Sequence, residues 1–185
     1  MDLEFVPYPK IGRLKRQCTV TEKIDGTNAQ IVFDHDGNIL CGSRKRQIWP
    51  NGTEGQAKAC DNFGFAGWAY GCREELFEYL GPGRHYGEWA GAGIQNGYDG
   101  MEKGFYLFNT FREDSSDHIP GLYKVPVLYQ GDFASDLVDA IMNELLAHGS
   151  FINPGSAPEG IVIYHHGTRS LAKCTYEYDG TGKPE

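Results

Sequence analysis

Apolar and polar residues alternate along much of this chain, and the alternation predicts strands. The β-prone runs Cys18-Thr19-Val20-Thr21 and Ala29-Gln30-Ile31-Val32-Phe33 flank Asp25-Gly26. Asp-Gly between two such runs is a turn signal, so a first hairpin is predicted over 18–33. Asp34-His35-Asp36-Gly37-Asn38 predicts a second turn, and Ile39-Leu40-Cys41-Gly42 a third strand running into Ser43-Arg44. Further strands are predicted over 84–90, 105–110, 125–129, 159–164 and 171–176, with Pro126 marking an edge. Two stretches change to helical spacing. From Asn62 to Leu80, Phe65, Trp68, Ala69, Cys72, Leu76, Phe77 and Leu80 recur at three- and four-residue steps before Gly81-Pro82-Gly83. From Ser135, read as a cap, a second helix runs to His148, with Leu137, Ile141 and Leu145 on one face and Gly149 at its end. Residues 1–17, broken by Pro7 and Pro9, are expected to be an irregular lead-in, 46–60 a loop and 179–185 a frayed tail. Together these elements predict one α+β domain over 1–185, with antiparallel sheets flanked by helices.

Composition narrows the picture without changing it. At 185 residues, 40% hydrophobic and 23% charged, the chain suits one well-cored globular domain. Aromatics at 13% and 25 glycines fit strands, tight turns and aromatic-lined surfaces. No apolar run reaches the ~18 residues that span a bilayer, and Met1-Asp2-Leu3-Glu4 does not open a signal peptide, so a cytoplasmic location is expected. Five scattered cysteines (Cys18, Cys41, Cys60, Cys72, Cys174) without a C-x-x-C pair are read as reduced packing residues. Asn51-Gly52-Thr53 matches a glycosylation sequon only by chance on that reading. A net charge of −8 argues against coating nucleic acid by bulk electrostatics. The positive charge is grouped, however, at Lys10, Arg13, Lys15 and Arg16 and again at Arg44-Lys45-Arg46, as solvated faces or a local anion-binding rim.

Several chemical motifs can be set aside. The 34–38 turn lacks the later ligands and the glutamate of a calcium loop. Gly91-Ala92-Gly93-Ile94-Gln95-Asn96-Gly97 misses dinucleotide-binding glycine spacing by one residue, and no helix pattern follows. His165-His166 would point to opposite faces of a strand. What remains is a series of polar residues at strand ends. Lys23-Ile24-Asp25-Gly26-Thr27-Asn28 comes first, followed by Ser43-Arg44, Tyr86-Gly87-Glu88 and Leu107-Phe108-Asn109. Glu159-Gly160-Ile161-Val162 and Lys173 complete it. Glu88 and Glu159 adjoin apolar strands, where an unpaired carboxylate is costly.

In this order, the motifs resemble those of the covalent nucleotidyltransferase superfamily of ATP-dependent ligases and capping enzymes. Asn28, at the sixth position of the lysine motif, makes the chain most similar to RNA ligases that seal nicks. The resemblance implies an ATP-grasp-like adenylyltransferase fold, with ATP and Mg2+ (or Mn2+) as cofactors. It implies that Lys23 attacks the α-phosphate and forms lysyl-AMP, with Glu22 beside the adenine edge. It further implies that Asn28, Arg44 and Glu88 hold ribose and phosphate, that Phe108 covers the base, that Glu159 helps hold the metal, and that Lys173 contacts the α-phosphate. The chemistry is coherent. Free lysine titrates near ~10.4 and must lose a proton to attack phosphorus. Carboxylates belong near a triphosphate only where they face hydroxyls or a cation. Arginine offers phosphate a two-pronged donor, and an aromatic face stacks on a base.

The chain departs from the family pattern at two points. The last motif usually has two lysines separated by one residue, and here Thr175 takes the second place, leaving Lys103 or Lys183 as open substitutes. The chain is also expected to have no room for a C-terminal OB or helical domain, which a partner protein could replace. The expected function is an ATP-dependent polynucleotide ligase joining 5′-phosphate and 3′-hydroxyl ends, of RNA in preference to DNA. The alternatives are a stand-alone nucleotidyltransferase or capping-like enzyme for another acceptor, and a non-catalytic module that binds nucleotide or nucleic-acid ends.

Overall fold

A computed structural model describes residues 6–8, 16–50, 61–95, 98–112 and 118–176. In chain order the elements are β1 (Gln17–Lys23), β2 (Thr27–Phe33), β3 (Ile39–Ser43), β4 (Gln47–Ile48), α1 (Phe65–Gly71), α2 (Arg73–Leu80), β5 (Gly83–Ala90), β6 (Gly104–Leu107), β7 (Leu122–Lys124), β8 (Val127–Asp132), α3 (Ser135–His148), β9 (Gly160–His165) and β10 (Ser170–Thr175). The strands form two sheets, a smaller one ordered β10-β9-β1-β8 and a larger one ordered β4-β3-β2-β5-β6-β7. Every pairing is antiparallel except β6 with β7. The expected α+β architecture with antiparallel-rich sheets is the one observed.

Each sheet has one face on a helix-covered core. In the larger sheet, Ile31 and Phe33 of β2, Trp89 of β5 and Phe105 of β6 pack with Phe65 of α1 and Leu76 of α2. In the smaller sheet, Val20, Ile161 and Ile163 pack on Ile141 and Leu145 of α3. Because successive strand residues alternate faces, the opposite faces of both sheets are free to line a cleft. A third cluster of Ile24, Ala90, Tyr98, Tyr106 and Val125 closes the base where the sheets meet.

The main correction concerns Asp25-Gly26. It does not turn a hairpin: β1 pairs with β8 and β9, whereas β2 pairs with β3 and β5. The dipeptide instead carries the chain from one sheet to the other. A Cβ on Gly26 would lie 2.6 Å from the Trp89 carbonyl oxygen and 2.9 Å from Glu88 Cγ, so only glycine lets the crossover run this close beneath β5. The 34–38 turn does form the hairpin of β2 and β3. Asp34 accepts bonds from the Asp36 and Asn38 backbone, and Gly37 sits at φ 77°.

Other boundaries move for local reasons. The predicted helix over 62–80 splits in two. Asn62, Phe63 and Gly64 have φ of 50°, 59° and 94°, which delays the start to Phe65, and Cys72 at φ −107° and ψ 28° ends α1 and opens α2. Ser135 is already inside α3. Ala134 occupies the capping position and no side chain caps the helix. The predicted 105–110 strand stops at Leu107, whose pairing with Gly87 is the last of the β5–β6 ladder, and β7 was not foreseen. Pro126 does precede an edge strand, β8. Lys10, Arg13, Lys15, the 51–53 sequon, Cys60, Asn96-Gly97, the 179–185 tail and Lys183 lie outside the described residues. Among the described residues no helix is long and apolar enough to cross a membrane.

Candidate active site

The facing sheets enclose a cavity of about 650 Å³. From the smaller sheet, Thr19, Thr21 and Lys23 alternate along β1 into it, with Val162 and Tyr164 of β9 and Leu171 and Lys173 of β10 beside them. From the larger sheet come Asn28 of β2 and Arg84, Tyr86 and Glu88 of β5. Phe108 and the residues that follow it overhang the opening.

Lys23 is the last residue of β1, opposite Gly160 of β9. That register puts the residue before Gly160 within reach, and Lys23 Nζ lies 2.5 Å from Glu159 Oε1. The other Glu159 oxygen, Oε2, is buried and has no hydrogen-bond partner. Gly160 holds φ 148°, and a Cβ there would meet the Cys174 carbonyl oxygen at 2.1 Å, so glycine is required for β9 to start against β10.

Across the cleft, Asn28 pairs in register with Glu88, and Asn28 Nδ2 donates to Glu88 Oε2 at 2.7 Å. Burial pushes the Glu88 carboxyl up to about 7. The Asn28 bond and the Lys23 charge pull against that shift, while the Glu159 and Asp25 carboxylates add to it. Glu88 therefore feels Asn28, Lys23, Glu159 and Asp25 at one end of the cavity. Among the described residues, no group of three or more His, Cys, Asp or Glu is gathered as a metal site.

The remaining expected residues divide. Phe108 is 46% exposed at the lip, tied by its backbone N–H to the Tyr86 carbonyl. Lys173 is exposed and faces the cavity from β10, opposite Val162. Thr175 stands opposite Gly160, hence level with Lys23. Lys103 donates to the Phe63 carbonyl and does not line the cavity. Arg44 lies one step past the ladder that ends at Ser43 opposite Ala29; its side chain is exposed and outside the cavity wall.

Glu22 departs furthest from expectation. As the neighbour of Lys23 on a strand, it projects to the opposite face. There it is 1% exposed, accepting from Ser150 Oγ at 2.6 Å and from the Phe151 backbone N–H at 2.9 Å. Burial pushes its carboxyl up, against those two bonds and the nearby His148. Glu22 still borders the cavity beside Lys23, while its carboxylate oxygens are engaged by the 150–151 loop.

His165 and His166 do not form a metal pair. His165 engages Thr168, and His166 Nε2 bonds Thr19 Oγ1 at 2.9 Å, with its ring edge-on to Phe111 and Tyr164. Motif reasoning missed Thr19, Thr21, Tyr164, Arg84 and Tyr86. Their signal was the two-residue period in register with Lys23 and Glu88, which becomes informative once the facing strands are known.

Comparison with known proteins bears on this arrangement. A family model described as RNA ligase matches residues 16–175. A search of curated proteins by sequence found no match. Among solved structures, Naegleria gruberi RNA ligase superposes in several states. A variant with AMP and Mn gives a TM-score of 0.61 at 17% identity, covering 88% of this chain and 50% of that one. A variant with ATP and Mn gives 0.59 at 18% identity, with 88% and 49% covered. A form with PPi gives 0.60 at 17% identity, with 88% and 50% covered. This chain therefore spans about half the length of the ligases it superposes on, and at this identity the likeness speaks for the fold. The family match runs from the start of β1 to the end of β10 and contains every residue of the cleft, so the chain belongs to the RNA ligase family.

Proposed function

We propose that this chain is the nucleotidyltransferase unit of an ATP-dependent RNA ligase, with Lys23 as the residue that becomes adenylylated. One observation carries the reading. A lysine at the floor of an inter-sheet cavity is paired with a carboxylate whose second oxygen is buried and unsatisfied. A buried, partnerless oxygen is costly unless a ligand completes it.

In this reading the Lys23 amine leaves Glu159, loses a proton and attacks the α-phosphorus. A nitrogen–phosphorus bond forms, the α–β phosphoanhydride breaks, and pyrophosphate departs. Glu88, about half-protonated near pH 7 and held by Asn28, faces the ribose hydroxyls. Phe108 stacks on the base, and Val162 on the opposite sheet supplies the other wall. Lys173 meets the α-phosphate, and Arg44 serves a phosphate at the mouth. Glu22 borders the cavity next to Lys23, and its carboxylate has the role argued below.

A divalent cation fits the donor set. Mg2+ is commonly held by one or two carboxylates with phosphate oxygens completing the shell, and Glu159 Oε2 is such a free donor. When bound, the cation would neutralise charge on the α-phosphate and on the leaving pyrophosphate. The solved Naegleria ligases carry ATP or AMP with Mn, which supports the same choice. AMP would then pass to a 5′-phosphate end, and attack by a 3′-hydroxyl would release it and join the strand. The second half present in the longer ligases, or a partner protein, would serve that sealing stage.

Incubation with ATP and Mg2+ should add one AMP mass to the intact protein, and the addition should vanish in Lys23→Ala. No adduct with any of the four NTPs would end this reading. A second reading, nucleotide binding without chemistry, is favoured by Thr175 standing level with Lys23 in place of a lysine. Binding without an adduct would select it. An adduct with GTP but not ATP would point to a capping-like enzyme, and parallel assays on nicked RNA and nicked DNA identify the acceptor.

A further inference from the structure

Lys23 sits where the chain leaves one sheet for the other. Crossovers between sheets have no ladder of their own, so something else must hold the lysine still. Two buried contacts flank it. On the N-terminal side, the Glu22 backbone N–H donates to the Pro126 carbonyl at 3.0 Å, and the Glu22 carboxylate takes the Ser150 hydroxyl and the Phe151 N–H. On the C-terminal side, the Asp25 backbone N–H donates to the Tyr98 hydroxyl at 3.0 Å. Ile24 between them is buried against Tyr98, Tyr106 and Val125. Ser150 and Tyr98 are themselves 0% and 3% exposed, so neither contact competes with water.

A carboxylate buried beside a nucleophile, yet engaged by the 150–151 loop, is costly to keep. A neutral or apolar residue would pack against α3 at least as well. The expense makes sense if the charge fixes backbone geometry. A carboxylate accepts from two donors at once, and bonds to an ionised group are stronger than neutral ones. Here the two donors lie in the loop that follows α3, about 130 residues further along the chain. The bonds therefore lock the end of β1 to the only helix packed on the smaller sheet among the described residues.

We propose that Glu22 and Ser150, with Tyr98 on the other flank, are positioning residues that hold the Lys23 backbone in line for attack. The proposal rests on the reading of Lys23 as the adenylylated residue. The lysine side chain has four rotatable bonds, and a small misplacement of its root moves the amine off the attack line. A shift of about 1 Å far from the chemistry can slow a reaction about 100-fold. Because Ser150 and Tyr98 do not line the cavity, and both Glu22 oxygens are engaged by Ser150 and Phe151, loss of these bonds should slow the chemical step and leave nucleotide affinity alone.

The test is single-turnover charging of Lys23 at saturating ATP and Mg2+, read by intact mass, alongside ATP affinity by calorimetry. Ser150→Ala and Tyr98→Phe should each slow charging by at least about tenfold, with Kd for ATP changed by less than about twofold. Glu22→Gln keeps an oxygen for the Phe151 N–H but loses the charge that strengthens both bonds, so its rate should fall between the wild type and Glu22→Ala. Glu22→Ala should be the slowest of the set if it folds. Variants that melt earlier but charge at the wild-type rate would reduce the contacts to structural support and overturn the proposal. A weaker Kd with an unchanged rate would overturn it equally, by placing these groups at the nucleotide. Wild-type protein that forms no adduct would overturn the adenylyl-transfer reading instead. The clamp is then judged by hydrogen exchange: amides 21–26 should exchange at least about tenfold faster in Ser150→Ala, and exchange at the wild-type rate would sink it.

Discussion

The two walls of the cleft differ in what stands behind them. The larger sheet rests on two helices and a broad aromatic core in which Phe65, Trp68, Trp89 and Phe105 contact one another. Among the described residues the smaller sheet rests on α3 alone, through a short set of aliphatic contacts around Ile141 and Leu145. Yet the smaller sheet carries Lys23, Glu159 and Lys173, whereas the larger carries Asn28 and Glu88. The proposed chemistry thus sits on the thinner wall, and the groups proposed to grip the sugar sit on the thicker one. A thin wall leaves its residues dependent on specific polar ties such as the Glu22–Ser150 bond, where a thick wall can rely on packing.

The largest effect should come from truncating the thin core. Leu145→Ala removes a side chain that is 1% exposed between α3 and the sheet, and should cost about 2–5 kcal/mol. Hydrogen exchange should show β1, β9 and β10 losing protection while β2 and β5 retain it. Equal loss on both walls would mean that the two sheets open as one unit and would break the comparison.

Glu88 comes next. Its folded pKa of about 7 lies above the usual carboxylic-acid value of 4.5. Below pH 4.5 the group is protonated whether folded or unfolded and makes no difference. Between pH 4.5 and about 7 the unfolded chain ionises while the folded site stays protonated, so stability falls as pH rises across that window and levels off above it. Glu88→Gln should therefore gain on the wild type between pH 4 and pH 8, by up to about 3 kcal/mol. Urea denaturation at the two pH values measures this, and a constant offset would show that the buried carboxyl titrates normally.

The smallest effect belongs to the lip. Phe108→Ala should weaken ATP binding by about 1–3 kcal/mol, the usual worth of an aromatic face on a base. It should barely move the melting temperature, since the ring is 46% exposed. A change in stability without a change in affinity would assign Phe108 to the wall instead of the nucleotide.

Local sequence was a good guide wherever local physics decides. Gly81 and Gly149 end their helices at φ 70° and 85°, as residues free of Cβ strain should. Asp34 organises its turn through bonds to residues two and four positions on. The order of short motifs around Lys23, Asn28, Glu88, Phe108, Glu159 and Lys173 located residues that do line one cavity, apart from Glu159, which reaches it through its ion pair with Lys23. A motif says which residue is near the lysine along the chain, not which way its side chain projects: Arg44 lies outside the cavity wall, and Glu22 borders the cavity while its carboxylate binds Ser150 and Phe151.

Asp25-Gly26 shows where such reading stops. Two β-prone runs and a turn dipeptide established that strands flank Lys23 and that glycine is needed after it. They could not say whether those strands pair with each other, because pairing is settled by partners far along the chain. Gly160 of β9 takes the place opposite Lys23, and Glu88 of β5 the place opposite Asn28. Burial of both faces of β1, one against α3 and one against the cleft, makes those distant partners the better bargain. Composition and spacing thus supplied the elements, and the motif resemblance supplied the nucleophile candidate. The long-range register turned a hairpin into a crossover, set Glu159 against Lys23, and sent Glu22 to the other side of the sheet.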